Sequence, residues 1–358
     1  MMFFGGPIWG KVFDNYGPRY LLLVGTFLHV FGLMMTSLSS KYYQILLSQG
    51  FVSSLGSSMV FSACTGSVGT WFFKKRAASF GIMASGSSLG GVIFPIMVPR
   101  LIKEVGFPWT MRICAFVILG MLIITNLTVK SRLSPRPQKI DVMEFIRPLK
   151  QTSFSLLCIA SFFFFFGTFL PFNYLILQFV HSQPRFMNML TLFPRAQQLG
   201  MSQDLAQYLL AMLNASSIFG RILPGIAADK FGRFNTMITT CALSSIIILA
   251  IWLPAKGNAP IIVFAILYGF TSGAFVSLGP ALIAQVSPIR EIGVRNGTFF
   301  LFVSIAGLTG NPIGGALVGQ NHGDYLYLQI FCGTTMVVGT LIYVAARWVQ
   351  CGFKLKVI

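Results

Sequence analysis

Runs of about 20 consecutive apolar residues dominate this chain, and that is the length a helix needs to cross a hydrocarbon core of roughly 30 Å. They fall near 21–40, 42–64, 77–99, 112–129, 153–180, 205–228, 236–253, 259–282, 297–320 and 326–346. Lipid offers no hydrogen-bond partner to an exposed peptide group, so a spanning segment of this composition must satisfy its backbone internally, as a helix. Only 9% of the residues are charged and 55% are hydrophobic, with 36 phenylalanines. A soluble domain carries about 25% charged residues. The fold class read from this pattern is all-α: a polytopic protein of the lipid bilayer.

The net charge of +18 would suit a polyanion if it were spread over one soluble surface. Here it is confined to short loops. KVFDNYGPR (11–19), FKKR (73–76), KSRLSPRPQKIDVMEFIRPLKQT (130–152) and AADKFGR (227–233) fall on one side when the spans are alternated, and they hold many of the 26 Lys and Arg residues. Basic loops gather on the cytoplasmic side, so the charge reports orientation and excludes a nucleic-acid partner. The six cysteines form no CxxC pair and sit mostly at or within apolar runs, where a reduced thiol behaves as a small hydrophobe. No GxxxxGK[ST] and no HExxH occurs, so nothing calls for an ATPase, a metal, a cofactor or an enzyme. No feature calls for an obligate protein partner.

The sequence repeats itself. GKVFDNYGPR (10–19) and GIAADKFGR (225–233) share a skeleton, pairing Gly10 with Gly225, Asp14 with Asp229 and Gly17 with Gly232, each pair at the same interval. A fainter echo joins GIMASGSSLGG (81–91) to GTFFLFVSIAGLTGNPIGG (297–315). The chain therefore reads as two related helical halves, 1–129 and 153–346, with a basic, proline-containing linker at 130–152 and a tail at 347–358. Met1–Phe13 would rise only about 20 Å as a helix, short of a span. The expectation is that the first half begins part-way through a helix, leaving an apolar trench beside it. A second expectation concerns residues 181–204: the middle of this loop reads as an insertion with no functional role.

These motifs resemble the major facilitator superfamily, whose signature loop is GxxxDxxGxR. WFFKKRAASFGIMASG (71–86) is similar to the signature of monocarboxylate porters, an aromatic pair followed by a basic cluster and spaced glycines: Trp71, Phe72, Lys74, Lys75, Arg76, Gly81 and Gly86. GRILPGIAADKFGRFN (220–235) reads like fungal members of that group. The resemblance covers nearly the whole chain. It implies two six-helix halves, here lacking the first helix and part of the second, and transport of a small organic anion by alternating access, with protons as the coupling ion the family uses. It further implies a conformational latch at Gly10, Asp14, Gly17, Arg19, Gly225, Asp229, Gly232 and Arg233.

Arg221 is the most telling residue. It lies inside an apolar run, where an arginine costs about 2.5–3.5 kcal/mol at the centre of a membrane helix. At 100° per residue, Asn214, Ser217, Arg221 and Gly225 share one face, and Phe219, Leu223 and Ile226 the other. A guanidinium grips a carboxylate through two parallel hydrogen bonds, and the resemblance implies an arginine in this helix that binds the substrate anion. Snorkelling to the headgroups is the alternative. The family's acidic residue one turn earlier is replaced by Ser217. Asn173, Tyr174 and Tyr268 are further candidates for lining the pathway, with helix packing as the competing role. His29 is a lone mid-span histidine. Two other functions stay open: a carrier of a larger substrate, such as riboflavin or a secondary-metabolite acid, and a non-transporting or sensor-like relative. The plasma membrane is the expected location, with a vacuolar or other organelle membrane as the alternative.

Overall fold

A computed structural model describes residues 2–135, 137, 143–174, 203–255, 257–321 and 323–352. The helices are α1 (Gly6–Tyr16), α2 (Pro18–Leu38), α3 (Tyr42–Trp71), α4 (Arg76–Thr128), α5 (Thr152–Tyr174), α6 (Gln203–Phe231), α7 (Arg233–Trp252), α8 (Asn258–Gln285), α9 (Ile292–Gln320) and α10 (Leu326–Cys351). Among the described residues nine helices are long and apolar enough to cross a membrane. The all-α polytopic architecture follows. Residues 181–202 of the stretch read as an insertion lie outside the described residues.

The spans at 77–99 and 112–129, expected as two helices joined by a loop, belong to the single element α4 of 53 residues. The chain turns between them at one residue, Gly106, with φ +76° and ψ +168°. That backbone region is open essentially to glycine alone, so a side chain at this corner would be strained. Everything on either side of Gly106 keeps helical geometry, and 76–105 and 107–128 are two arms. Several other helices run past their apolar cores, as α6 does to Phe231. A helix retains its backbone bonds outside the hydrocarbon, and its polar ends carry the charged motifs.

The chain divides into two compact units. The first comprises Met1–Phe80, Met97–Ser155 and Pro280–Ser304, the second Gly81–Ile96, Leu156–Gly279 and Ile305–Ile358. Each unit is held together by close helix crossings at small residues, as expected where lipid supplies no hydrophobic drive between helices. In the first unit a Cβ on Gly6 or Gly10 would collide with the backbone of Gly297 or Gly293, and the collision is mutual. GPIWG (6–10) and GVRNG (293–297) are thus two GxxxG faces pressed backbone to backbone. Gly25 of α2 meets Gly56 of α3 in the same way. In the second unit Gly269 and Gly273 of α8 take the backbone and hydroxyls of α6 at Leu213, Ser216 and Ser217.

Candidate functional site

Two polar constellations stand out, one in each unit. In the second, α6 turns Asn214, Ser217 and Arg221 inward, with exposures of 8%, 0% and 7%, while Phe219, Leu223 and Ile226 on the opposite face are 62%, 51% and 43% exposed. The inward face packs on the first arm of α4. Arg221 Nη1 donates to the Ala84 carbonyl and to Ser87 Oγ. Ser88 Oγ donates to Ser217 Oγ at 3.2 Å. A Cβ on Gly81 would strike the Arg221 carbonyl, and one on Gly91 would strike Asn214. Gly81, Ala84, Ser88 and Gly91 therefore form a groove of small residues that seats the polar stripe. Gly273 of α8 closes the other side, with Ser217 Oγ and Arg221 Cγ nearest.

The guanidinium is incompletely satisfied. Its Nε is buried with no hydrogen-bond partner, and among the described residues no carboxylate pairs with Arg221. Burying an unpaired cation is expensive, so the site holds one full positive charge with bonding capacity to spare. Ser87, one of its acceptors, is exposed.

The remaining pathway candidates have hydrogen-bond partners of their own. Tyr268 is fully buried, and its hydroxyl donates to the Thr168 carbonyl at 2.9 Å. Asn173 Nδ2 donates to Asn311 Oδ1 at 2.9 Å and Tyr174 Oη to the Asn311 carbonyl at 2.9 Å. These bonds tie α5 to α8 and α9. His29 is likewise occupied, its Nδ1 lying 2.8 Å from Ser53 Oγ. That bond sits beside the π-helical stretch Leu46–Ser53 of α3.

The first unit holds Asp14. Its carboxylate spans the start of α9, Oδ1 accepting from the Gly293 N–H at 3.0 Å and Oδ2 from the Val294 N–H at 2.9 Å. Those N–H groups have no intrahelical partner, and an anion there also meets the positive end of the helix dipole. Burial nevertheless outweighs both hydrogen bonds and pushes the Asp14 carboxyl up to about 7 from an ordinary 3.8. Gly10 gives the approach that brings Asp14 to α9, and Gly17 turns the chain out of α1 at φ +77°. Arg19 is exposed. In the second copy of the motif Gly225 is buried, Gly232 turns at φ +97°, and Asp229 pairs with Arg233 at 3.2 Å.

In the 71–86 stretch, Trp71 Nε1 donates to the Lys130 carbonyl at 2.7 Å, while Phe72, Lys74 and Lys75 are exposed. Gly86 faces open space. Arg76 is 4% exposed and donates to the carbonyls of Phe72, Ala284 and Gly69. It has a counterpart that sequence reasoning passed over. Arg295, also 4% exposed, reaches Glu291 and Gln151 Oε1 at 2.9 and 2.7 Å. Lys11 and Glu144 form a further overlooked pair. Its members are 133 positions apart, and nothing local in the linker marks Glu144 as the partner of a buried lysine.

The sequence matches the Major Facilitator Superfamily over residues 1–182 and 174–350. The chain belongs to the Major Facilitator Superfamily. Its curated relatives within the superfamily include an "MFS-type transporter" of Gibberella moniliformis, 49% identical over 97% of this chain and 80% of that protein. Another, "MFS-type transporter 1" of an Ophiocordyceps species, is 51% identical over 97% and 74%. The "Fujikurins efflux protein" of Gibberella fujikuroi is 44% identical over 96% and 70%. Among solved superfamily structures, the human organic anion transporter MFSD10 aligns with a TM-score of 0.74 at 16% identity, covering 96% of this chain and 80% of the other. The fucose:proton symporter of E. coli aligns at 0.73 and 14%, covering 96% and 88%. At such identity these two speak for the fold. The protein is a multi-pass membrane transporter of this superfamily.

Proposed function

We propose that this chain is a secondary carrier that exports an acidic secondary metabolite by alternating access, with Arg221 holding the anionic group. The observation that carries the reading is the buried guanidinium of Arg221, which has an unbonded Nε and no carboxylate partner among the described residues. An organic acid would supply the missing acceptor, and Ser217 and Asn214 lie one and two turns away on the same face. The names of relatives such as the fujikurins efflux protein and the "Aspyridones efflux protein" of Emericella nidulans, 38% identical over 98% of this chain and 67% of that protein, favour export of a secondary metabolite over uptake of a small monocarboxylate. The halves 1–129 and 153–346 are the moving bodies, and the 130–152 linker lies on the cytoplasmic side. The Gly10–Arg19 and Gly225–Arg233 loops hold one conformation closed. Protons are the proposed driving ion. None of the eight Asp and Glu residues falls within the core of an apolar run, and Asp14 sits near a helix end.

The test is transport in vesicles reconstituted with the wild type or Arg221→Ala, offering a panel of acids alongside their neutral methyl esters. The wild type is expected to move the acid and discriminate against its ester by about 10-fold or more, since a charge-assisted pair is worth about 1.5–3 kcal/mol. Arg221→Ala should lose that discrimination. Equal handling of acid and ester by the wild type would overturn anion recognition.

A further inference from the structure

A cavity of about 480 Å3 opens in the first unit, bordered by Lys11, Asp14, Ser134, Arg147, Arg290 and Arg295 among others. Its charges are unevenly committed. Glu144 holds Lys11, Glu291 holds Arg295, and Asp14 caps Gly293 and Val294. Arg290, which borders the cavity just before α9, is exposed and makes no ion pair within the described residues. Ser134 borders it from the irregular start of the linker, exposed, its hydroxyl making no hydrogen bond within the described residues. Proline follows at Pro135, which biases the serine to extended backbone, the form in which protein kinases take peptides. Arg132 stands two residues before it.

We propose that Ser134 is a phosphorylation site and that Arg290 holds the phosphate, tying the linker to the start of α9 beside the Asp14 contact. The step is a phosphoryl transfer from a nucleoside triphosphate by a serine/threonine kinase. The bond from the γ-phosphorus to the diphosphate breaks and one to Ser134 Oγ forms. The hydroxyl proton passes to the kinase's base and the nucleoside diphosphate leaves. The product carries a charge of about −1.5 to −2 and three strong acceptor oxygens, which an arginine fork meets bidentately. Glu144 and Glu291 do not oppose it strongly, because Lys11 and Arg295 already neutralise them. Bound this way, the phosphate strengthens the contact between α1, the linker and α9, and slows its opening.

The inference rests on the proposed cytoplasmic placement of the linker, where kinases and nucleotides are found. The full chain is therefore produced as Ser134→Cys and labelled in intact and permeabilised cells with a membrane-impermeant thiol reagent, the wild type serving as the background. Labelling only after permeabilisation is expected; labelling of intact cells would overturn the placement and the proposal together. Full-length wild type in lipid nanodiscs is then treated with a proline-directed serine kinase and ATP. Phosphate should appear on the Ser134 peptide and be absent from it in Ser134→Ala. Hydrogen exchange in the peptide spanning Gly293 and Val294 should slow about tenfold, the scale of one to three new charge-assisted hydrogen bonds. Arg290→Gln should accept phosphate yet lose the slowing. No phosphate at Ser134 in an inward-facing linker, unchanged exchange at full phosphorylation, or the same slowing in Arg290→Gln would each overturn the proposal while leaving the transport reading intact.

Discussion

Arg221 and Asp14 are both charges withdrawn from water, and their surroundings treat them differently. Asp14 receives two backbone N–H groups at the start of α9, whereas Arg221 is given a carbonyl and a hydroxyl and keeps its Nε unbonded. If Arg221 serves a ligand, Arg221→Lys should impair transport although the charge remains, because an ammonium cannot present the planar fork. Loss of such a pair is expected to cost on the order of 2–5 kcal/mol in ligand binding. Near-wild-type transport by the lysine variant, at matched protein in the membrane, would instead mark the residue as an anchor. For Asp14 the sign follows from its raised value of about 7. The folded contact binds a proton more tightly than a free carboxyl does, so its stability is fullest below pH 3.8 and declines as pH rises towards 7. Asp14→Asn stays neutral throughout. The melting temperature of the wild type relative to Asp14→Asn in detergent should fall between pH 4 and 7 and level off above; a flat difference would mean that the carboxylate is not desolvated in solution. The stripe bearing Arg221 could be read from the sequence, because a period of 3.6 sets it against an apolar face. Its partners Ala84 and Ser87 could not, being more than 130 positions away and chemically unremarkable. Tyr268 shows the converse: a tyrosine inside a span signals polarity, and only the packing reveals that its hydroxyl is already taken by Thr168.

At the scale of helices, small residues decide what can approach what. Gly10 and Gly120 are both helical glycines, yet one faces the Gly293 backbone and the other has nothing within 4 Å of its would-be Cβ. Gly10→Ala should destabilise by about 1–3 kcal/mol, because a backbone neighbour cannot rotate away as a side chain can. Gly120→Ala should be neutral or stabilising by up to about 1 kcal/mol through helix propensity alone. Equal melting temperatures in detergent for the two variants would refute the crossing. Gly106→Val is expected to cost about 1–3 kcal/mol from backbone strain at the corner between the two arms of α4, where the glycine sits at φ +76°. The apolar runs gave away the helices, since hydropathy alone sets where a chain can cross lipid. The corner at Gly106 was half legible: the charged stretch 100–111 separates two spans, but hydropathy does not show that both helices run on to a turn of one residue. The Gly6–Gly10 and Gly293–Gly297 pairing was hidden for another reason: each GxxxG is legible alone, but which two faces meet depends on topology.

At the scale of the molecule, alternating access requires that close helix crossings part once per cycle. In the first unit, the antiparallel crossing of α1 on α9 is backed by three aromatic rings. Phe3 stacks on Phe300 at 5.1 Å between centroids, and Phe61 meets them edge-on at 5.6 and 5.0 Å. On the proposed alternating access, with 1–129 and 153–346 as the moving bodies, these rings and the Gly6–Gly297 backbones beneath them part once per cycle. The paired substitution Phe3→Cys with Phe300→Cys, bridged by a short bifunctional thiol reagent, should therefore stop transport almost completely. Cleaving the bridge should restore it. Each single variant treated with the same reagent controls for labelling of the native cysteines, several of which are buried. The bridged protein should still bind ligand from whichever side this conformation leaves open, because the crosslink fixes a state without touching Arg221. Transport that continues at the uncrosslinked rate, with the bridge verified by mass spectrometry, would show that the α1–α9 crossing is a static joint and that the moving contacts lie elsewhere in the bundle.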